Sequence, residues 1–496
     1  MHTLRLKLKA NVRQKNKLNK SFHIAYKIYV RLVKYVQKQL RLLSRNKRYK
    51  YLKHSYGIYK KAEDETKLNT ITEELNLIVN SYKIYITDLE NYVKEQQHKY
   101  KNFITSQQAQ KIAKFVYKSV EEYLYGKGTK VCIKKYTDFN IISQKCATNG
   151  VKFYGSYILF LGEKIPVKYS NNKKDRAYVE ESLNHNLKYC ELEKIEFNSG
   201  TDFYVKLVLD GDAPSKIIKG TKDVGIDPGM STMASVSDTD CTFEELAPKC
   251  KDYNKQIAKL QKQIDRSTRA TNPNLYNEDG SVKKGSKKKF VYSKHCKHLK
   301  RKLRVLYRQK SDYTKCTHNA LSNRILDGIK KVNIESINYQ ALAKRSKNTE
   351  KSDKAITVIT KDGTTKEVFK NKKNKRFGKS ITDRSPGLFI KVIEDKCKRY
   401  KIKCNKINTA KVKASQYNHI TDDYEKHKLS ERTKIIGTYK VQRDLYSAYI
   451  IKNVKNDKEN LNKRKLNKGF NKFIELQDKE IKRHKEQHIK NKNFGF

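Results

Sequence analysis

The sequence is short of acidic residues, of long apolar runs and of paired cysteines. Asp and Glu number 52 against 111 Lys and Arg, for a formal net charge of +59. No stretch of the chain holds enough consecutive apolar residues for a membrane-spanning helix, so no membrane partner is expected. The nine cysteines are scattered, their count is odd, and no Cys-x-x-Cys pair occurs. That argues against a disulfide framework and against a ribbon-type zinc site. Thiols used this way suit a reduced compartment. The expected location is a bacterial cytoplasm, with the protein nucleoid-associated when bound to DNA. A Walker A loop, a Gly-x-Ser-x-Gly elbow and internal repeats are all missing. The opening MHTLRLKLKANVRQ is positively charged, but no apolar segment follows it, so a secretory signal is not expected.

Charge dominates what is present. With 37% hydrophobic and 33% charged residues, the 496-residue chain has room for several domains with modest cores. A surface this positive attracts polyanions at long range, and neutralising phosphates releases their counterions. Lys, Asn, Ile and Tyr abound, as codon bias in an AT-rich genome produces. Bias raises lysine, however, without explaining why Asp and Glu fail to balance it. Nucleic acid is therefore the expected partner.

Periodicity divides the chain. A short basic strand (Leu4–Leu8) opens it, so residues 1–15 read as the N-terminal strand of a β-rich domain. Residues 16–130 read as a helical module. Leu18, Phe22, Ala25, Tyr29, Leu32, Val36 and Leu43 keep helical spacing, as do Leu68, Ile71, Leu75, Ile78, Tyr82 and Leu89. A further helix starts near Thr105, with Gln108 completing a capping box, and stops at Gly126. Residues 131–220 read as β-rich, with a hairpin about Asn198-Ser199-Gly200-Thr201. Residues 221–454 alternate strands and helices, with a helical insertion at 250–328 and a basic insertion of no steady period at 345–380. Residues 455–496 read as a basic tail carrying one more amphipathic helix. In the first inserted helix Tyr253, Ile257, Leu260 and Ile264 form an apolar stripe. Lys255, Lys259, Lys262 and Arg266 line the opposite face, which is either a solvated surface or a phosphate-binding one.

A chain with so few carboxylates makes those at strand ends conspicuous. Phosphodiester hydrolysis can be run by two divalent cations about 4 Å apart, and Mg²⁺-type cations need oxygen ligands. Asp227 ends the strand Val-Gly-Ile-Asp before Pro228-Gly229. Glu335 ends Lys-Val-Asn-Ile-Glu, and Asp444 starts a helix whose small Ser447 and Ala448 allow close approach to a sheet. The three are 108 and 109 residues apart, so only the fold can assemble them. Each alone has an ordinary reading: a capping Asp in a turn, a surface Glu at a strand end, an Asp favoured by the helix dipole.

Val224-Gly225-Ile226-Asp227-Pro228-Gly229 resembles the first RuvC motif, Val332-Asn333-Ile334-Glu335-Ser336-Ile337 the second, and Gln442-Arg443-Asp444 with its Ala-containing helix the third. Their order and the surrounding layout, over residues 1 to about 454, resemble the TnpB family of transposon-encoded RNA-guided nucleases and its relatives, the compact type V CRISPR effectors. The resemblance implies a multidomain α+β chain: an RNase H-like (RuvC) α/β nuclease core, a helical recognition module and a small wedge-type β-rich domain. It implies an RNA-guided DNA endonuclease with a guide RNA and target double-stranded DNA as partners. Asp227, Glu335 and Asp444 would be the catalytic ligands of two Mg²⁺ ions. Lys255, Lys259, Lys262, Arg266 and Arg443 would touch nucleic acid. A nuclease-inactive RNA-guided repressor, an RNase H-like transposase and an RNA chaperone acting by charge alone are the alternatives.

The chain departs from that family in two places. Many members carry a zinc ribbon before the third motif; here Tyr417 follows Ser415-Gln416 where a Cys is expected. Zinc is therefore not expected, and packing of Tyr417 and Tyr439 should hold the loop. Tyr446 stands where the family often has Asn, which should alter packing beside the site more than the ligand itself. The looser group His295, Cys296, His298, Cys316 and His318 includes a cysteine on an apolar stripe, so it reads as helix surface and core more readily than as a metal site.

Overall fold

Alternation in the first strand, His2–Leu8, sends His2, Leu4, Leu6 and Leu8 inward. Leu4 and Leu6 pair with Leu207 and Val205 of the strand Thr201–Leu209. In this computed structural model residues 1–496 are described except 216, 284–288, 345–350, 360–363, 372–376, 427, 429 and 490–492. The chain forms two compact units, Met1–Pro214 and Ser215–Phe496. Among the described residues no helix is long and apolar enough to cross a membrane.

The first unit holds a seven-stranded antiparallel sheet. Its order is Ile141–Ser143, Leu187–Glu196, Thr201–Leu209, His2–Leu8, Glu163–Lys168, Tyr157–Phe160, Lys152–Phe153. Helix Val12–Leu43 starts at an Asn11–Gln14 capping box and buries Leu18, Phe22, Ile28, Leu32 and Val36. Phe22 meets Phe203 of the sheet, with ring centroids 6.0 Å apart. Helices and sheet thus share one core, where the sequence divided them at residue 130. The single helical spacing from Leu68 to Leu89 is also broken. Helices Glu65–Ser81 and Ile86–His98 are separated at Lys83, whose φ of 51° is left-handed. The helix Ser106–Leu124 carries the Thr105–Gln108 capping box.

The second unit is built on a five-stranded sheet in the order Cys241–Glu245, Thr232–Val236, Lys222–Pro228, Ile329–Glu335, Lys403–Ile407. The first three strands are antiparallel neighbours, and the last two join in parallel. Each of the two strands at its centre has two inward faces. Val224, Ile226, Val332 and Ile334 join the core built with helices Lys294–Leu326 and Pro386–Arg399. The alternate residues face helix Arg443–Lys452. Helix Cys250–Thr271 packs on Lys294–Leu326 between the third and fourth strands of the sequence order. The basic insertion at 345–380 contains a hairpin, Lys351–Ile359 with Thr365–Asn371. The rest of that stretch lies partly outside the described residues. The amphipathic helix expected in the basic tail is present and joins the core. Helix Lys463–Glu486 buries Leu466, Phe470, Phe473 and Leu476, and Phe473 stacks on Tyr449 at 4.7 Å. Its lysines lie on the outer face, which is why composition alone marked the stretch as basic.

Candidate functional site

Register fixes the site. Gly225 pairs with Asn333, and Asn333 with Asn405, across three neighbouring strands. Two residues further along, on the same face, come Asp227 and Glu335. At the first level the helix Arg443–Lys452 lies directly on Gly225, where a Cβ would overlap the Ala448 carbonyl oxygen and the Lys452 amide. At the second level the same helix brings Ser447 and Asp444 to Asp227, whose carboxyl feels both, together with Glu335. The helix therefore runs antiparallel to the Asp227 strand and delivers its N-terminal carboxylate to the strand's C-terminal one.

Both ends of this helix are held. At its N-terminus the buried Gln442 caps Leu445 through a 2.6 Å bond from the Leu445 N–H. The Gln442 N–H donates in turn to Gln477 of helix Lys463–Glu486 at 2.8 Å. At the C-terminus Asn333 Nδ2 donates to the carbonyls of Ile451, Lys452 and Val454 at 3.0, 3.1 and 3.1 Å. Its two hydrogens are shared among three carbonyls at the helix end, of which the Ile451 carbonyl also accepts from the Val454 N–H at 3.2 Å. Asn405 Nδ2 donates to Asn333 Oδ1 at 3.1 Å and fixes the amide's orientation. Asn333→Ala is expected to cost about 3 kcal/mol in urea unfolding, against about 1 kcal/mol for Asn405→Ala, which removes a single bond. Equal costs for the two would refute this reading of the ladder.

Three carboxylates in one place repel. Asp227 lies deep in protein while keeping some solvent contact. Its carboxyl is pushed well above the usual range by burial, then by the charges of Glu335 and Asp444, with Ser447 and Arg443 acting the other way. Burial, then Asp444, raises Glu335 to about 7. In the unfolded chain Glu335 ionises near 4.5, so its ionisation costs the folded state more and more as pH rises from 4.5 to about 7. Glu335→Gln should therefore raise metal-free stability at pH 8 by on the order of 2 kcal/mol and leave it unchanged at pH 4. Thermal melts of both proteins across that range provide the check, and a gain that persists at pH 4 would contradict this origin.

Asp444 is occupied. Arg443 Nε and Nη2 reach its Oδ1 at 3.0 and 2.8 Å, and Arg443 Nη1 donates to the Glu431 carbonyl at 3.0 Å. Arg443, expected on nucleic acid, is thus turned inward. Among the described residues no three His, Cys, Asp or Glu side chains are gathered closely enough to hold a metal ion. In kind, the donors fit a hard divalent cation: all are carboxylate oxygens, and their mutual repulsion is what a cation would relieve. Glu335 borders a cavity of ≈ 650 Å³ that also touches Asn338, Tyr339, Lys391, Asp395 and Lys406.

The basic stripe Lys255, Lys259, Lys262 and Arg266 is exposed along helix Cys250–Thr271, with Ile257 buried on the opposite face. In place of a ribbon cysteine, Tyr417 is buried. Its hydroxyl donates to Asp422 at 2.9 Å and its ring lies 5.1 Å from Tyr424. Tyr439 is more exposed and meets Phe470 edge-on at 5.8 Å. Tyr446 is fully buried, with its hydroxyl 2.8 Å from His419 Nδ1. It packs behind the helix and away from the carboxylates. The five residues from His295 to His318 lie along one helix, with Cys296 and His318 buried and His295, His298 and Cys316 exposed.

Asn333, Asn405, Gln442 and Tyr339 were not singled out from sequence. Tyr339 donates to the Pro228 carbonyl at 3.1 Å and pins the turn after Asp227. The available signal was Asn333 between the apolar Val332 and Ile334, where a polar side chain needs a buried partner; Asn405, in a strand with two lysines, gave none.

No family model matches the chain, and no curated protein matches it. Solved structures align over most of its length. A "Cas12f1-sgRNA-target DNA complex" aligns at 11% identity over 91% of this chain and 98% of that one, with a TM-score of 0.45. A "CRISPR-Cas12f Ternary Complex" aligns at 12% identity over 92% and 99%, with a TM-score of 0.29.

Proposed function

We propose that this chain is an RNA-guided DNA endonuclease with an RNase H-like (RuvC) core, cutting target DNA by phosphodiester hydrolysis at a single site. The observation that carries the reading is that Glu335 and Asp444, brought from a neighbouring strand and from the covering helix, both act on the buried Asp227 carboxyl, though the three are not drawn together as a closed metal site. Two Mg²⁺ ions held by these carboxylates would activate water and stabilise the leaving oxygen. Asp227, whose carboxyl senses both Glu335 and Asp444, would be the ligand shared between the ions. Glu335 must lose its proton to become a ligand, so cation binding and deprotonation are coupled. Arg443 holds only Oδ1 of Asp444, so the other carboxylate oxygen would serve as the ligand atom while the pair persists. Guide RNA and target double-stranded DNA are the partners required. Their sugar-phosphate backbones suit the +59 charge and the exposed Lys255–Arg266 stripe. The helical and β-rich modules of residues 16–220 would check a short duplex motif beside the target.

The Arg443–Asp444 pair supports a second reading, a binder that does not cut. Sequencing the RNA that co-purifies with the chain, then offering matched duplex DNA with Mg²⁺, separates the two. A discrete structured RNA and matched cleavage support the nuclease. The same RNA with tight binding and no cleavage supports the binder, and random RNA fragments refute RNA guidance.

A further inference from the structure

The Asp227 strand and the Asp444 helix pass each other antiparallel, so both have a far end. There a second cavity of ≈ 650 Å³ opens among Asp223, Asp238, Lys331, Lys452, Lys455, Lys465 and Lys468. Four residues separate Asp223 from Asp227, about 13 Å along the strand. Both aspartates are already satisfied. Lys331 pairs with Asp223 at 3.2 Å and Lys452 with Asp238 at 2.9 Å. The Asp223 N–H also donates to Asp238 at 3.0 Å. Among the described residues, Lys455, Lys465 and Lys468 make no salt bridge; Lys465 and Lys455 act on Asp238 and Asp457 through charge alone, and five lysines face two aspartates across the concavity. Lys465 and Lys468 lie in the first turns of the 24-residue helix Lys463–Glu486, whose N-terminus adds partial positive charge on the same side. An exposed basic face is usually convex and well hydrated. This one is a cleft whose own acids are spent.

We propose that this cleft is a phosphate-binding site, separate from the carboxylate site, which holds a backbone phosphate of the bound nucleic acid. It rests on the nucleic-acid binding proposed above, but not on cleavage. Its distance from Asp227 means that it cannot cradle the scissile phosphate, so it anchors another part of the nucleic acid. Among the described residues no aromatic side chain lines the cleft. A free nucleotide's base would have nothing to stack on, which favours a phosphate presented by a polymer.

The test uses the full chain carrying Lys455→Gln, Lys465→Gln and Lys468→Gln together, and a second chain with Arg at the same three positions. Binding of a duplex DNA and of a hairpin RNA is measured across a salt series. The Gln chain should lower the slope of log affinity against log salt by about 1 for at least one of the two ligands, with the Arg chain keeping the wild-type slope. These exposed positions leave the fold intact, which thermal melts verify. An unchanged slope in the Gln chain, with wild type still binding, overturns the proposal. Saturable binding of inorganic phosphate that the Gln chain loses without any change of slope assigns the cleft to free phosphate and overturns the backbone reading. Failure of wild type to bind either nucleic acid refutes the nucleic-acid reading itself, and this proposal with it.

Discussion

Asp227→Ala should lower Mg²⁺-dependent cleavage of guide-matched DNA by roughly 10³-fold or more while leaving RNA and DNA binding nearly unchanged. The size follows from its role as a proposed metal ligand: Asp227 is deeply buried and its carboxyl senses both of the others, so its loss removes a donor that nothing nearby replaces. Single-turnover cleavage and gel-shift titration of the same preparations separate the two effects. Cutting within tenfold of wild type would sink the assignment. Asp227→Asn distinguishes a ligand from a structural residue. It should be equally inactive, yet melt at a higher temperature than wild type at pH 8 without metal, because an amide escapes the burial and repulsion that penalise the Asp227 carboxylate. An inactive Asp227→Asn that is also unstable would point to simple misfolding.

Gly225→Ala is the second large effect, and it needs no contact with the reacting atoms. The added carbon would overlap the backbone of Ala448 and Lys452, and would lie 2.8 Å from Lys452 Cα. Backbone cannot rotate aside as a flexible side chain can. The helix must lift or the strand must bend, at about 3 kcal/mol or more. Because that helix carries Asp444, the lift also separates the carboxylates, and cleavage should fall together with stability. Gly57→Ala is the matched control. That glycine sits in helix Lys47–Lys61 with nothing near its missing side chain, so alanine there should stabilise by up to about 1 kcal/mol. Denaturant unfolding of both proteins gives opposite signs if close approach is the cause. A Gly225→Ala protein as stable as wild type would disprove the contact.

The strands and helices that carry the carboxylates were legible because each ends an apolar run or starts one, and apolar periodicity survives in a single sequence. Strand Lys222–Pro228 and helix Arg443–Lys452 lie within two residues of where the pattern put them. What the pattern could not carry was pairing across distance. Nothing near Asn333 says that its amide closes the end of a helix more than a hundred residues later. Nothing near Arg443 says that its guanidinium turns back on its own neighbour. The amphipathic helix expected in the basic tail is present, but what its apolar face covers could not be read for the same reason. Its lysines are visible in composition, but Phe470 and Phe473 acquire meaning only once Tyr446 and Tyr449 are known to wait beneath them.

The Asn333 amide that closes the Asp444 helix has a consequence for how the chain is made. A ribosome that has released everything up to Glu335 has produced two of the three carboxylates and the amide, but no helix for the amide to close. The helix arrives with residues 443–452, and its backing, including the Gln477 that seats its first turn, later still. A nascent chain, or one cut short by a premature stop, carries most of the basic surface and none of the finished site. Such a chain could occupy nucleic acid while remaining chemically silent. The carboxylate site would be assembled only after residues 443–477 have emerged.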